Sequence, residues 1–196
     1  MEEFEFYNDG TVLSKYNGTD THVVIPDGVI EISVSAFASN EELTSVIIPD
    51  SVTKIGPYAF QGCTGLKEIV FPEGLTEIDY WAFAGCTGLT EIVFPDKVII
   101  GQNAFRDCKK LKNITLPKNI KRIDAWAFQD CDALEEIVLP SCVTDFDSAF
   151  WGCDKIRKVV IAEGTAEIAS GLFSGADELT SVIIPESVTK IGRDAF

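Results

Sequence analysis

The chain has 196 residues, 46% of them hydrophobic, which is enough for one sizeable domain. Lys and Arg number 16 against 31 Asp and Glu; the formal net charge of -15 argues against nucleic-acid partners and anionic lipid, and its plainest role is solubility. No apolar run approaches the roughly 18 residues of a membrane-spanning helix, which argues against membrane insertion.

The N-terminus, Met1-Glu2-Glu3-Phe4-Glu5-Phe6, is acidic. It lacks a basic start followed by an apolar stretch and is not a signal peptide. Either the protein is cytoplasmic or an export signal lies outside this sequence. From residue 20 onward one period governs the chain. Phe recurs at Phe37, Phe60, Phe83, Phe105, Phe128, Phe150, Phe173 and Phe196, at intervals of 22 or 23 residues. Ala precedes each of these Phe except Phe173, which follows Leu172. A second ladder is Pro26, Pro49, Pro72, Pro95, Pro117, Pro140 and Pro185, with Ala162 on the vacant rung. A third is Leu43, Leu66, Leu89, Leu111, Leu134, Ile156 and Leu179. The shorter intervals come from one-residue deletions after Pro95 and Pro140. Such self-similarity is the signature of a repeat architecture.

The unit reads L-x-x-[IV]-x-[ILF]-P, a short turn, V-x-x-I, then A-F-x-x-C-x-x. Asp20 to Glu42 is a degenerate first copy, Leu43 to Gly65 and Leu66 to Gly88 are full copies, and Leu179 to Phe196 is a partial one. The β-rich segment, for example Val46-Ile47-Ile48, predicts a strand, and Pro ends it because Pro cannot donate the next ladder hydrogen bond. Leu at the first position and the apolar residues at the fourth and sixth are expected to face inward, with the fifth outward. The V-x-x-I segment predicts a second short strand or extended stretch. Ala59-Phe60 predicts a tight helical turn that drives Phe into the core. No unit buries its own apolar face, so equivalent units must stack with their strands in a parallel sheet. The chain stops at Ala195-Phe196, inside a unit and without a polar cap, so it is expected to be a section of something longer.

These units resemble the leucine-rich repeats of the BspA-like type, whose signature is a Pro-terminated strand followed by I-G-x-x-A-F-x-x-C. Ile55-Gly56-Pro57-Tyr58-Ala59-Phe60-Gln61-Gly62-Cys63 matches it nearly letter for letter. The seventh unit departs from it at Ala162, Leu172 and Ala176, and the register survives. The resemblance implies an α/β leucine-rich-repeat solenoid, a curved right-handed stack of about 23-residue coils with a parallel sheet on one face and short helical turns. Residues 20–196 would be the solenoid, about seven and a half units. Residues 1–19 would be an N-terminal cap hairpin, because Gly10 to Thr19 resembles the cap that often precedes such arrays. Proteins of this type are mostly found on or outside microbial cells and are commonly associated with adhesion. The resemblance therefore implies an extracellular or cell-surface location and a protein or glycan partner.

Candidate chemistry is sparse. Cys63, Cys86, Cys108, Cys131 and Cys153 each sit three residues after a Phe. No C-x2-C pair exists for a metal, and a ladder of small buried thiols is best explained as packing, although stacking leaves disulfides open. Cys142 falls in a turn position and is expected to be the most exposed thiol. His22 has no nucleophile motif beside it and reads as a surface residue; no phosphate-loop, dinucleotide, G-x-S-x-G or H-E-x-x-H motif occurs. No catalysis, cofactor or metal is expected. Three surface features remain. Glu68, Glu91 and Glu136 share one outward strand slot, interrupted by Asn113 and ended by Lys158; they make either a solvated face or a row that attracts a basic partner or calcium. Ile47, Val70, Val93, Thr115, Val138, Val160 and Ile183 form an outward stripe, either a binding face or plain β-propensity. Tyr58, Trp81 and Trp126 precede the Ala-Phe pair and Tyr80 adjoins Trp81; these aromatics line one edge, to stack on sugar rings, to anchor a protein, or only to pack locally. The leading expectation is a non-catalytic binding or adhesion module. The alternative is a structural spacer within a larger array with no ligand of its own. The oligomeric state stays open, monomer included.

Overall fold

Each coil opens with a three- or four-residue strand that Pro stops on schedule. In the computed structural model, which describes residues 3–141 and 148–196, these strands pair in parallel with equivalent positions side by side. Ser45 pairs with Glu68, Val46 with Ile69 and Ile47 with Val70. The same register joins Glu91–Val93 to Asn113–Thr115, and Glu136–Leu139 to Lys158–Ile161 and then to Ser181–Ile183. The side-chain period of two then does the sorting: Val46 and Ile48 are buried and Ile47 is exposed. The expected alternation therefore holds in this coil, while in the last one Ile184, at an inward position, is exposed.

The V-x-x-I segments form a second parallel ladder. It runs from Glu31–Ile32 through Lys54–Ile55, Glu77–Ile78 and Ile99–Ile100 to Arg122–Ile123. The one-residue deletion after Pro95 does not disturb it, since Ile99 still pairs with Glu77 and with Arg122. The missing residue is the exposed one that Thr76 supplies in the preceding coil, between buried Leu75 and the ladder, so its loss leaves the inward side chains Val98 and Ile100 in place. At the N-terminal end Phe4–Tyr7 and Val12–Tyr16 make an antiparallel hairpin, and its second strand continues the ladder by pairing in parallel with Glu31–Ile32.

Among the described residues the expected helical turns are not seen, so the α/β part of the reading finds no support. Among the described residues the only helix is a 3-10 turn at Asn8–Gly10. The molecule is a β-solenoid of about eight coils of about 23 residues. The reason lies in the backbone around the Ala-Phe pair. The residue before Ala has positive φ in Tyr58, Trp81, Asn103 and Trp126, between 56° and 58°, and so does the residue two after Phe, as in Gly62 and Asp107. Left-handed residues this close together interrupt any helical run. Successive N–H groups then point alternately within the coil and across to the next. Ala59, Gln61 and Cys63 donate to Gly56, Tyr58 and Phe60 of their own coil at 3.3, 3.0 and 3.1 Å. Tyr58, Phe60 and Gly62 donate to Tyr80, Ala82 and Ala84 of the next coil at 3.2, 2.7 and 2.8 Å. Where the strands also pair, as between the second and third coils, a coil is thus bonded to its neighbour along three sides.

The core is a column of aromatic rings. Phe37 to Phe196 stack in unbroken sequence, with centroids 4.8 to 5.9 Å apart and ring planes within 13° of parallel. Beside it runs the thiol column. Cys63, Cys86, Cys108, Cys131 and Cys153 are free and fully buried. Each Sγ donates to the carbonyl oxygen of the preceding coil's Phe, as from Cys86 to Phe60 at 3.1 Å. Burial pushes the Cys63 thiol up to about 12 and raises the other four as well. The thiolate needed for disulfide exchange or metal binding is therefore suppressed, and the packing role stands. These five thiols are expected to react with a maleimide only at the rate of global unfolding; labelling of any of them in the native state would contradict the burial. Cys142 lies outside the described residues.

Candidate functional site

Two surfaces stand out, one on the strand face and one along the Ala-Phe turns. On the strand face the exposed stripe is present over most of its length: Ile47, Val70 and Val93 are 62, 78 and 57% exposed, Val24, Thr115, Val138 and Ile183 continue it, and Val160 is half-buried. Buried neighbours hold Val24, Ile47, Val70, Val93 and Val138 outward, because each lies between two core residues of its strand. Shallow grooves run between adjacent strands, floored by Val70, Val93, Phe71 and Phe94 and edged by Glu68, Glu73 and Glu91. Asp50 lines the neighbouring groove together with Ile47. Carboxylates therefore border the apolar stripe on one side in the third and fourth coils (Glu68, Glu91) and on the other in the second and third (Asp50, Glu73).

The predicted acidic row is shorter than its three members suggest. Glu68 and Glu91 lie one coil apart, and neither makes an ion pair among the described residues. Glu136 lies two coils beyond Glu91, past exposed Asn113, and Lys158 Nζ holds its carboxylate at 2.5 Å. His22, at the start of this face, is exposed, with Nδ1 2.7 Å from Ser45 Oγ.

Along the turns, Tyr58, Tyr80 and Trp81 form one cluster. Tyr58 meets Tyr80 edge-to-face at 5.3 Å and Trp81 in a stacked arrangement at 6.4 Å. The Arg106 guanidinium lies over the Trp81 ring, 5.5 Å from its centroid. Trp126 is two coils further on. The coil between Trp81 and Trp126 carries Asn103 at the equivalent position, which leaves a groove of about 440 Å³. Trp151 closes its far side. Sequence reasoning missed Trp151, Asn103 and Arg106. Lining up the residue after each Phe would have found two of them, because Arg106 and Trp151 share that slot and Asn103 breaks the aromatic slot beside it.

Among the described residues no group of three or more His, Cys, Asp and Glu side chains is placed to hold a metal, and no helix is long and apolar enough to cross a membrane.

Stacked coils with Pro-ended strands around a Phe column define a leucine-rich-repeat solenoid. The chain belongs to the BspA type leucine rich repeat family, whose model matches six copies over residues 15–99 and 89–196. Comparison with curated proteins gives no match. Among solved structures it is similar to the leucine rich repeat protein of T. pallidum, at 32% identity and TM-score 0.65 over 96% of this chain and 82% of that one. It is also similar to a leucine rich cell surface protein from Faecalibacterium prausnitzii, at 25% identity and TM-score 0.60 over 98% of this chain and 71% of that one. A leucine-rich repeat protein from Eubacterium ventriosum matches at 28% identity and TM-score 0.57, over 69% and 44% of the two chains. Proteins of this family and fold are generally non-enzymatic.

Proposed function

We propose that this chain is a non-catalytic binding module that holds a protein partner on its strand face, at or outside a cell surface. The observation that carries the reading is the exposed β-branched stripe with carboxylates along both borders. A solvated strand face needs no Ile or Val, and contiguous apolar surface on a soluble chain marks contact sites. An apolar centre with a polar rim is the anatomy of a protein interface. The acidic rim selects the partner: an extended segment that alternates apolar and basic side chains. The surface location rests on the family and on the Faecalibacterium relative described as a cell surface protein. Such a module works with no cofactor and as a single copy.

Selection from a random peptide display library on the folded protein tests this reading. Enriched sequences are expected to combine apolar and Lys or Arg residues at alternate positions. The double variant Val70→Lys, Val93→Lys is expected to lose them, about tenfold or more in affinity, with an unchanged unfolding midpoint. A selection that enriches nothing, or peptides that bind the double variant equally well, would leave the spacer reading in its place.

A further inference from the structure

The chain contains three tryptophans, and all three, Trp81, Trp126 and Trp151, line the groove along the turns. We infer that this groove is a binding site for a neutral oligosaccharide lying along the solenoid axis. It is separate from the strand face and stands independently of the reading given above.

The floor of the groove supplies the first argument. Asn103 is only 3% exposed, and its Oδ1 is a buried oxygen with no hydrogen-bond partner. Asn is a favoured non-glycine residue in the left-handed backbone found there, φ 56°, so the backbone accounts for the residue type. It does not account for an unpaired amide oxygen, since buried polar atoms are nearly always satisfied. The terminal torsion of Asn is soft, so the amide can rotate to present its oxygen to the groove that the residue lines. A hydroxyl donor seated in the groove would satisfy it.

The walls supply the second. Trp81 and Trp126 occupy one coil position two coils apart, so about 10 Å separates them along the axis, given about 4.8 Å per paired strand. Both hold left-handed backbone at φ 58°, a conformation that Gly171 occupies freely at the same position. A bulky ring there costs of order 1–3 kcal/mol. Packing in the core does not require the Trp126 ring, which is exposed. Trp126 and Trp151 are exposed and offer their faces to a flat, C–H-lined ligand, while Trp81, covered by Arg106 and stacked on Tyr58, bounds the near end of the groove.

Chemistry then discriminates between ligand classes. A pyranose has apolar faces for the indoles and hydroxyl edges for the amides of Asn103 and Gln129, both of which line the groove. Gln129 already donates Nε2 to Asp130 at 3.0 Å, which leaves its oxygen to accept. An apolar peptide side chain would leave the Asn103 oxygen unpaired. An anionic sugar finds no free cation, because Arg106 is held by Asp107 at 3.4 Å and Asp130 at 3.6 Å and covers Trp81. The groove volume, about 440 Å³, falls within the roughly 300–1,000 Å³ of small-molecule sites.

Because every tryptophan lies in the groove, intrinsic fluorescence reports on it directly. The protein is titrated with neutral hexasaccharides of β-1,4-glucose, α-1,4-glucose and β-1,4-N-acetylglucosamine, and with a heparin hexasaccharide. A saturable emission shift is expected with at least one neutral chain, weakening as that chain is shortened to the monosaccharide. By calorimetry the Trp81→Asn, Trp126→Asn double variant, which keeps residues tolerant of the left-handed backbone, is expected to bind about tenfold or more weakly. Asn103→Gly, which keeps the backbone and deletes the amide, is expected to weaken binding with an unchanged unfolding midpoint. Val70→Lys, Val93→Lys is expected to leave sugar binding untouched, so that failure here and failure of the strand-face reading are told apart. No shift with any neutral chain, tighter binding of heparin, or affinity retained by the double tryptophan variant would each overturn the assignment.

Discussion

Phe83→Ala is expected to destabilise the protein by about 3–5 kcal/mol, the usual range for a buried Phe truncated in a core. Phe83 is fully buried, stacked on Phe60 at 4.9 Å and on Phe105 at 5.1 Å, with Phe71 edge-on at 5.7 Å. Its removal opens a void that the stacked neighbouring coils cannot close. For a chain of this length the unfolding midpoint should fall by about 6–20 °C. Coupling in a solenoid is nearest-neighbour, so the loss falls on the two interfaces flanking the third coil. Hydrogen exchange should show protection lost first in the coils around Phe83 and least in coils further along. Phe196→Ala is the control: that ring is 43% exposed and has a stacking partner on one side only, Phe173 at 5.9 Å. Its cost is expected to be about 1 kcal/mol or less. Equal costs for the two variants would refute a column that carries the fold.

Alkali is expected to unfold the protein steeply between pH 9 and about 12. The five described core thiols have folded pKa values raised by burial above the ordinary 9.0, Cys63 to about 12. Above pH 9 the unfolded chain releases thiol protons that the native chain still holds. Stability present below pH 9 is therefore lost as pH climbs toward the folded values. Each thiol contributes about 1.4 kcal/mol per pH unit, and five together about 7 at the steepest. A total stability of about 5–15 kcal/mol is exhausted within one or two pH units, before a native thiolate forms. Urea unfolding at a series of pH values measures the slope. Replacing Cys86 by Ala, and then Cys108, should lower it by about 1.4 kcal/mol per pH unit at each step. An unchanged slope would show that these thiols do not carry the alkaline transition.

The strand face was legible because its logic is local. Leu43, Val46, Ile47 and Ile48 sort themselves by a period of two, and the recurring Phe and Pro impose coil-to-coil register without any knowledge of coordinates. The turn was not legible, because Ala59-Phe60 followed by polar residues looks helical. Nothing in the letters of Tyr58 or Trp81 announces a left-handed backbone, since bulky residues rarely adopt it. The groove was only half legible. Trp81 and Trp126 share a slot and could be lined up, but Trp151 occupies another slot. It reaches the same groove only because the alternating turn brings the residues on either side of the Ala-Phe pair onto one edge.

The sequence by itself determined the period, the coil register, the Phe and Cys columns and the outward stripe, because each follows from a side chain repeating its own environment every 22 or 23 residues. Only the tertiary structure decided that the turns are not helices, that Glu136 is neutralised by Lys158, and that three tryptophans and an unpaired Asn103 oxygen converge. Those outcomes depend on backbone torsions and on which unlike positions meet between coils. A repeat pattern records only where like meets like.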